Sequence, residues 1–168
     1  MDSVQVKDKN FQIYIQEEKI ISRVSEVAAQ ISRDLADKKP LFLAVLNGSF
    51  VFAADLMRSV SIPCEISFVR MSSYSGTQST GKVKELLGLK ENIEGRTVVV
   101  VEDIIDSLKA KHPAELHVAS LLVKPNNLKV DLDISYRCFD IPNDFIVGYG
   151  LDYDGEGRNL RDIYVVQE

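Results

Sequence analysis

The run Val98-Val99-Val100-Val101-Glu102-Asp103-Ile104-Ile105-Asp106-Ser107 constrains the fold more than any other part of this chain. Four β-branched residues in a row make a strand that is apolar on both faces, and such a strand belongs to a parallel sheet covered by helices. In open sheets of that kind the ligand crevice lies outside the carboxyl ends of the strands. Glu102, Asp103 and Asp106 therefore fall where chemistry is expected, although a solvated acidic turn after a core strand would contain the same residue types.

The neighbouring segments agree with an α/β chain. From Glu17 to Asp37 the residues Ile20, Ile21, Val24, Val27, Ala28, Ile31 and Leu35 recur at helical spacing among charged residues, which predicts a surface helix with one core face, stopped by Lys38-Lys39-Pro40. Leu41 to Leu46 reads as a buried strand, turned by Asn47-Gly48 into a short apolar helix through Met57. Cys64 to Met71 alternates like a half-buried strand, and from Ser72 to Gly81 the Ser, Thr, Gly, Gln and Tyr residues predict a mobile loop. Further strands are expected at Glu115 to Val123, Phe145 to Gly150 and Asp162 to Val166, with Pro125-Asn126-Asn127 as a turn.

With 168 residues and 45% hydrophobic content, one domain spanning 1–168 can bury a sizeable core. The formal net charge of −5 and the lack of a long Lys/Arg run disfavour a nucleic-acid partner. Cys64 and Cys138 read as small core residues, lacking zinc-site spacing. No apolar stretch approaches membrane-spanning length, and the N-terminus has neither a basic start nor an apolar signal core. A cytoplasmic protein without membrane contact is the expectation.

The acidic run also resembles the ribose-phosphate motif of the type I phosphoribosyltransferases, specifically the hypoxanthine-guanine (6-oxopurine) branch. Leu46-Asn47-Gly48-Ser49, Ser72-Ser73-Tyr74-Ser75-Gly76, Leu122-Val123-Lys124 and Phe145-Ile146-Val147-Gly148-Tyr149-Gly150-Leu151-Asp152-Tyr153 follow in the order of that branch. The resemblance implies a type I phosphoribosyltransferase fold: a central parallel sheet flanked by helices, with a small hood from the terminal segments. The reaction it implies is purine salvage, in which hypoxanthine, and guanine with it, displaces pyrophosphate from phosphoribosyl pyrophosphate to give IMP or GMP. The family also implies a homodimer or homotetramer.

Such a transfer builds positive charge on the sugar and negative charge on the leaving group, so it needs carboxylates near the ribose and cationic or N–H donors at the phosphates. By resemblance, Glu102 and Asp103 accept hydrogen bonds from the ribose hydroxyls, and Asp106 is the general base that takes the purine N7 proton. Helix N-terminal capping is the plainer job for Asp106. Ser107, Asn47, Gly48, Ser49 and Arg158 match the phosphate-binding positions. Many relatives carry Lys where Asn47 stands, which leaves the backbone N–H groups of Gly48 and Ser49 as donors there. A non-proline cis peptide is usual in that loop before the Gly. Mg²⁺ is implied as cofactor, held through Asp152 together with Glu102 and Asp103, because hard carboxylate oxygens suit it. Lys124 matches the donor to the exocyclic oxygen of the purine, Phe145 the ring that stacks on the base, and Ile146 the backbone contact to its edge. Ser73 and Tyr74 match the lid loop. His112 and His117 have no triad partner and read as structural.

One feature of the spacing does not fit. A crossover between parallel neighbours takes at least about 10–12 residues, and after the acidic motif only Ser107 to Ala114 precede the next strand, with Pro113 among them. The family has a Gly, any residue, Thr and a helix after this point. We expect that a stretch following Ser107 is missing from the sequence; a true deletion would instead remove the backbone cradle for the 5′-phosphate. That gap favours the rival reading, a non-catalytic nucleotide-binding regulatory protein of the same fold. Xanthine or adenine as the accepted base is the rival within the enzyme class.

Overall fold

The computed structural model describes residues 2–72, 85–87, 93–105, 115–124, 134–142 and 144–168. The described residues form two sheets and two helices. The larger has six strands in the order β5(Glu85–Leu87), β4(Glu65–Ser72), β3(Leu41–Leu46), β6(Thr97–Ile105), β7(Glu115–Val123), β8(Tyr136–Asp140). All its pairs are parallel except β4 with β5, which is antiparallel at one edge.

The valine run behaves as the two-residue strand period requires. Val99 and Val101 point into the main core, while Val98 joins Leu41, Leu43, Val45 and Val69 on the opposite face, with Val100 packed against them. The helices α1(Glu17–Asp34) and α2(Phe50–Ser59) pack against each other, and their buried residues join the core that contains Val99 and Val101. The α1 stripe Ile20, Val24, Val27, Ala28 and Ile31 is fully buried, and burying a Val or Ile side chain contributes about 1.5–3 kcal/mol. This stripe holds the helix to the sheet. At its start, Glu17 N–H donates to Asp162 Oδ1 at 2.7 Å, a carboxylate placed at the positive end of the helix. The helix ends at Asp34 rather than running to Asp37: the Leu35 N–H still donates to Ile31 O, and Lys39 takes φ +46° before β3 begins.

The smaller sheet is antiparallel, ordered β1(Ser3–Val6), β2(Lys9–Ile15), β10(Ile163–Val166), β9(Ile146–Val147). It is the hood that the resemblance implied, assembled from both terminal segments. β1 and β2 form a hairpin in which Val6 pairs with Lys9, leaving Lys7 and Asp8 as the turn. The strand expected from Phe145 to Gly150 is shorter, because Gly148, Tyr149 and Gly150 all take positive φ and leave the sheet. Ile15, Ile146, Tyr149, Leu151 and Ile163 belong to the same buried cluster as the sheet residues, so the apolar core runs from hood to sheet without a break.

β6 and β7 are parallel neighbours paired from Thr97 with Glu115 to Ile105 with Val123. The residues between them, 106–114, lie outside the described residues, and with them His112, Asp106, Ser107 and the expected gap. The loop expected from Ser72 to Gly81, including Ser73 and Tyr74, lies outside them beyond Ser72, as does the turn at 125–127.

Candidate active site

The carboxyl ends of β3, β6 and β7 lie side by side, because Ala44 pairs with Val101 and Val123 with Ile105. Outside them opens a cavity of about 530 Å³, within the size range of small-ligand sites. The chain after β3 supplies Asn47 and Gly48 to its wall; Lys124, one residue past β7, supplies a second side; and Asp144, Phe145 and Ile146 lead into β9 on a third. Leu151, Asp152 and Arg158 close it from the loop that follows β9.

The loop after β3 turns sharply into α2. The Leu46–Asn47 peptide is cis, the Phe50 N–H donates to Asn47 O at 3.2 Å, and the Ala53 N–H to Ser49 O at 2.7 Å. The side chain of Ser49 is used within the turn. It is fully buried and its Oγ donates to Val45 O at 2.6 Å, so the hydroxyl knits the turn, and any contribution of Ser49 to ligand comes from its backbone.

The opposing loop is tied down by its own polar contacts. Arg158 Nη1 donates to Gly150 O at 2.7 Å, and its Nη2 lies 3.3 Å from Asp152 Oδ1, with the two side chains 29% and 33% exposed. Asp152 Oδ2 accepts from Gly155 N–H at 2.8 Å. Two cations and two carboxylates thus line the cavity, with Arg158 and Asp152 paired while Lys124 and Asp144 lie on the walls made by β7 and β9. The loop approaches the β3 turn closely. A Cβ on Gly150 would stand 2.8 Å from Gly48 O. Behind it, the Tyr149 hydroxyl donates to Asp55 Oδ2 on α2 at 2.5 Å. Burial first, and then the Asp55 hydrogen bond, push the Tyr149 phenol well above its ordinary range.

Phe145 is 41% exposed despite its size. Its ring meets Tyr153 at 5.3 Å and Phe11 at 6.0 Å, both nearly perpendicular. An exposed aromatic ring braced on two sides at a cavity wall is suited to stacking on a flat ligand.

Of the expected site residues, Asn47, Gly48, Lys124, Phe145, Ile146, Asp152 and Arg158 gather around this cavity. Glu102 sits in β6 opposite Ser120, one residue beyond the last position paired with β3. Asp103 follows it in the strand backbone, its side chain being outside the description. Ser73, Tyr74, Asp106 and Ser107 are outside the described residues. Asp144 and the Tyr149–Asp55 contact were not anticipated. Asp144 adjoins Phe145, but nothing in its local pattern separates it from an ordinary loop acid. His117 packs its ring 5.9 Å from Tyr136, away from these groups. Among the described residues no three His, Cys, Asp or Glu side chains cluster closely enough to hold a metal by themselves, and no helix is long and apolar enough to cross a membrane.

Comparison with known proteins bears on the same segments. The model of the phosphoribosyl transferase domain matches residues 12–154. A hypoxanthine-guanine phosphoribosyltransferase of Streptococcus agalactiae is 43% identical over 163 residues, covering 90% of this chain and 91% of that protein. One from Streptococcus thermophilus is 39% identical over 167 residues, covering 93% of each. The crystal structure of a hypoxanthine-guanine phosphoribosyltransferase from Bacillus anthracis, with a HEPES molecule in its active site, superposes with a TM-score of 0.83 at 40% identity, covering 97% of this chain and 100% of that one.

Proposed function

Because this chain belongs to the phosphoribosyltransferase family, we propose that it is a Mg²⁺-dependent enzyme of purine salvage, converting hypoxanthine and guanine with phosphoribosyl pyrophosphate into IMP and GMP. The observation that carries the reading is the meeting of Lys124, Phe145, Asp152 and Arg158 on one cavity with the β3 turn. An ammonium and a stacking ring suit a 6-oxopurine; a guanidinium and a cluster of N–H donors suit pyrophosphate.

In the reaction, purine N9 bonds to the anomeric carbon while the bond from that carbon to pyrophosphate breaks, its electron pair leaving with the phosphate oxygen. Lys124 donates to the oxygen on C6, which selects a 6-oxopurine over adenine. Phe145 stacks on the ring, and Ile146 offers its backbone to the edge. Glu102 and Asp103 fix the ribose through its hydroxyls, and such positioning supplies several kcal/mol of barrier reduction. Asp106 receives the N7 proton. Ser107 belongs to the 5′-phosphate site, and Ser73 and Tyr74 to the lid that keeps water from the cation-like sugar. Arg158 and the backbone of Asn47, Gly48 and Ser49 receive the leaving group.

The donor set fits Mg²⁺. Asp152 brings a partly exposed carboxylate to the cavity wall, and Mg²⁺ needs one or two carboxylates when phosphates and water complete its shell. Asp152, with Glu102 and Asp103, would hold it. When bound, the ion neutralises charge on the departing pyrophosphate. The continuous core supports reading residues 1–168 as one domain, which we place in the cytoplasm as a homodimer or homotetramer.

A spectrophotometric assay tests the proposal. Hypoxanthine, phosphoribosyl pyrophosphate and Mg²⁺ should yield IMP, and chelation by EDTA should stop the reaction until Mg²⁺ is restored. Turnover of adenine or xanthine in preference to hypoxanthine refutes the substrate assignment, and absence of product with every base leaves the non-catalytic reading in its place.

A further inference from the structure

The N-terminal hairpin reaches the base side of the cavity without lining it. Its turn residue Asp8 accepts a hydrogen bond from the Tyr153 hydroxyl through Oδ1 at 2.6 Å. Lys9, at the start of β2, holds its Nζ 5.9 Å from the centre of the same ring, in range of a cation–π attraction. Tyr153 in turn sets its ring nearly perpendicular to Phe145 at 5.3 Å, and Phe11 of β2 does so at 6.0 Å. Phe11 is fully buried and is also 6.2 Å from Tyr153, so the three rings form one cluster. That hydrogen bond holds the Asp8 carboxyl below its ordinary range and the Tyr153 phenol above its own.

Phe145 alone of the three rings borders the cavity. It stands just before a strand of two residues, Ile146–Val147, and is 41% exposed, so the orientation of its ring depends on the side chains beside it. We propose that Asp8, through Tyr153, and Phe11 are positioning residues for the purine: they hold the Phe145 ring in the plane on which the base stacks, and thereby make the N-terminal hairpin part of the base site. The inference rests on Phe145 being the stacking residue. Ring pairs of this geometry make a contribution that corresponds to about a two- to tenfold change in binding.

Tyr153→Leu removes the bracing ring; Tyr153→Phe and Asp8→Ala each release it while leaving the ring in place. Steady-state kinetics should show KM for hypoxanthine raised about two- to tenfold in Tyr153→Leu, and raised less in the other two, whose effects should not add when combined. KM for phosphoribosyl pyrophosphate and kcat should stay within about twofold, a split that general loosening of the fold would not give. Asp8 is on an exposed turn, so Asp8→Ala tests the claim even if Tyr153→Leu folds poorly. Phe145→Leu separates the two layers of the argument. If it raises KM for hypoxanthine and the Tyr153 and Asp8 variants do not, the brace is wrong and the stacking assignment stands. If Phe145→Leu leaves that KM unchanged, both fall. Equal changes in both KM values in the Tyr153 and Asp8 variants also overturn the proposal. In a Phe145→Leu background, Tyr153→Leu should add nothing further.

Discussion

Replacing Gly150 by Ala should separate the two loops that face each other on the side of the cavity lined by Gly48 and Arg158. The backbone there has φ +98°, and an added Cβ would stand 2.8 Å from the Gly48 carbonyl oxygen, where ordinary contact begins at 3.4 Å. The loops must therefore part by the difference, roughly half an ångström, unless the backbone twists instead. The positive φ costs a residue with a Cβ about 1–2 kcal/mol, and steric overlap of this kind in a packed region adds about 1–3 kcal/mol. Gly95 provides the matched control. It has φ +78° in the turn entering β6, at the opposite end of the strand from the site, and a Cβ there meets nothing within 4 Å. Gly95→Ala should lose the backbone part alone and keep its kinetics. Gly150→Ala should lose more in urea unfolding, and its kcat/KM for phosphoribosyl pyrophosphate should fall about tenfold or more, since a misplacement of about 1 Å can cost about a hundredfold. If the two variants match in both unfolding and kinetics, the close approach of these loops does not set the geometry of the site.

Tyr149→Phe should lower stability by about 1–2 kcal/mol in urea unfolding, because it leaves Asp55 without its buried donor. The raised Tyr149 phenol also sets a pH signature: its contribution is full below the ordinary value of 10.0 and is lost as pH rises above it, so the alkaline decline in stability should be shallower in the Phe variant, and an unchanged slope would count against the contact. Burial pushes the Cys138 thiol up to about 12 while Cys64 is partly exposed, so a thiol reagent at pH 8 should label Cys64 in the native protein and reach Cys138 only on unfolding; mass spectrometry of the labelled peptides reads this out. Lys124→Ala should raise KM for hypoxanthine far more than KM for phosphoribosyl pyrophosphate, and equal effects would remove Lys124 from the base site.

The central strands were legible because their chemistry is local. Leu41–Leu46 and Glu115–Val123 are apolar runs with clear punctuation, and both strands appear with those bounds. β8 was not read, since Tyr136-Arg137-Cys138-Phe139-Asp140 carries polar residues between its buried ones, like the outer strand it is. β1 and β2 escaped for a similar reason: one face of each is exposed, and the second partner of β2 is β10, far along the chain. The site was legible only through resemblance, because no periodicity joins Asn47 to Arg158 or marks that they border one cavity. Tyr149 and Asp55 are 94 positions apart, and the sequence near either gives no sign of the other.

The pairing of β2 with β10 sets an order on biosynthesis. Phe11 lies opposite Val166, and the Gln167 N–H donates to Asn10 O at 2.8 Å, so the N-terminal hairpin waits for β10, made after all the parallel strands, before the four-stranded sheet can close. A nascent chain can stack α1 and α2 on the growing parallel strands, but its second sheet stays open until residue 166 has emerged. A ribosome stalled before β10 therefore carries the parallel platform beside a small sheet that is still open.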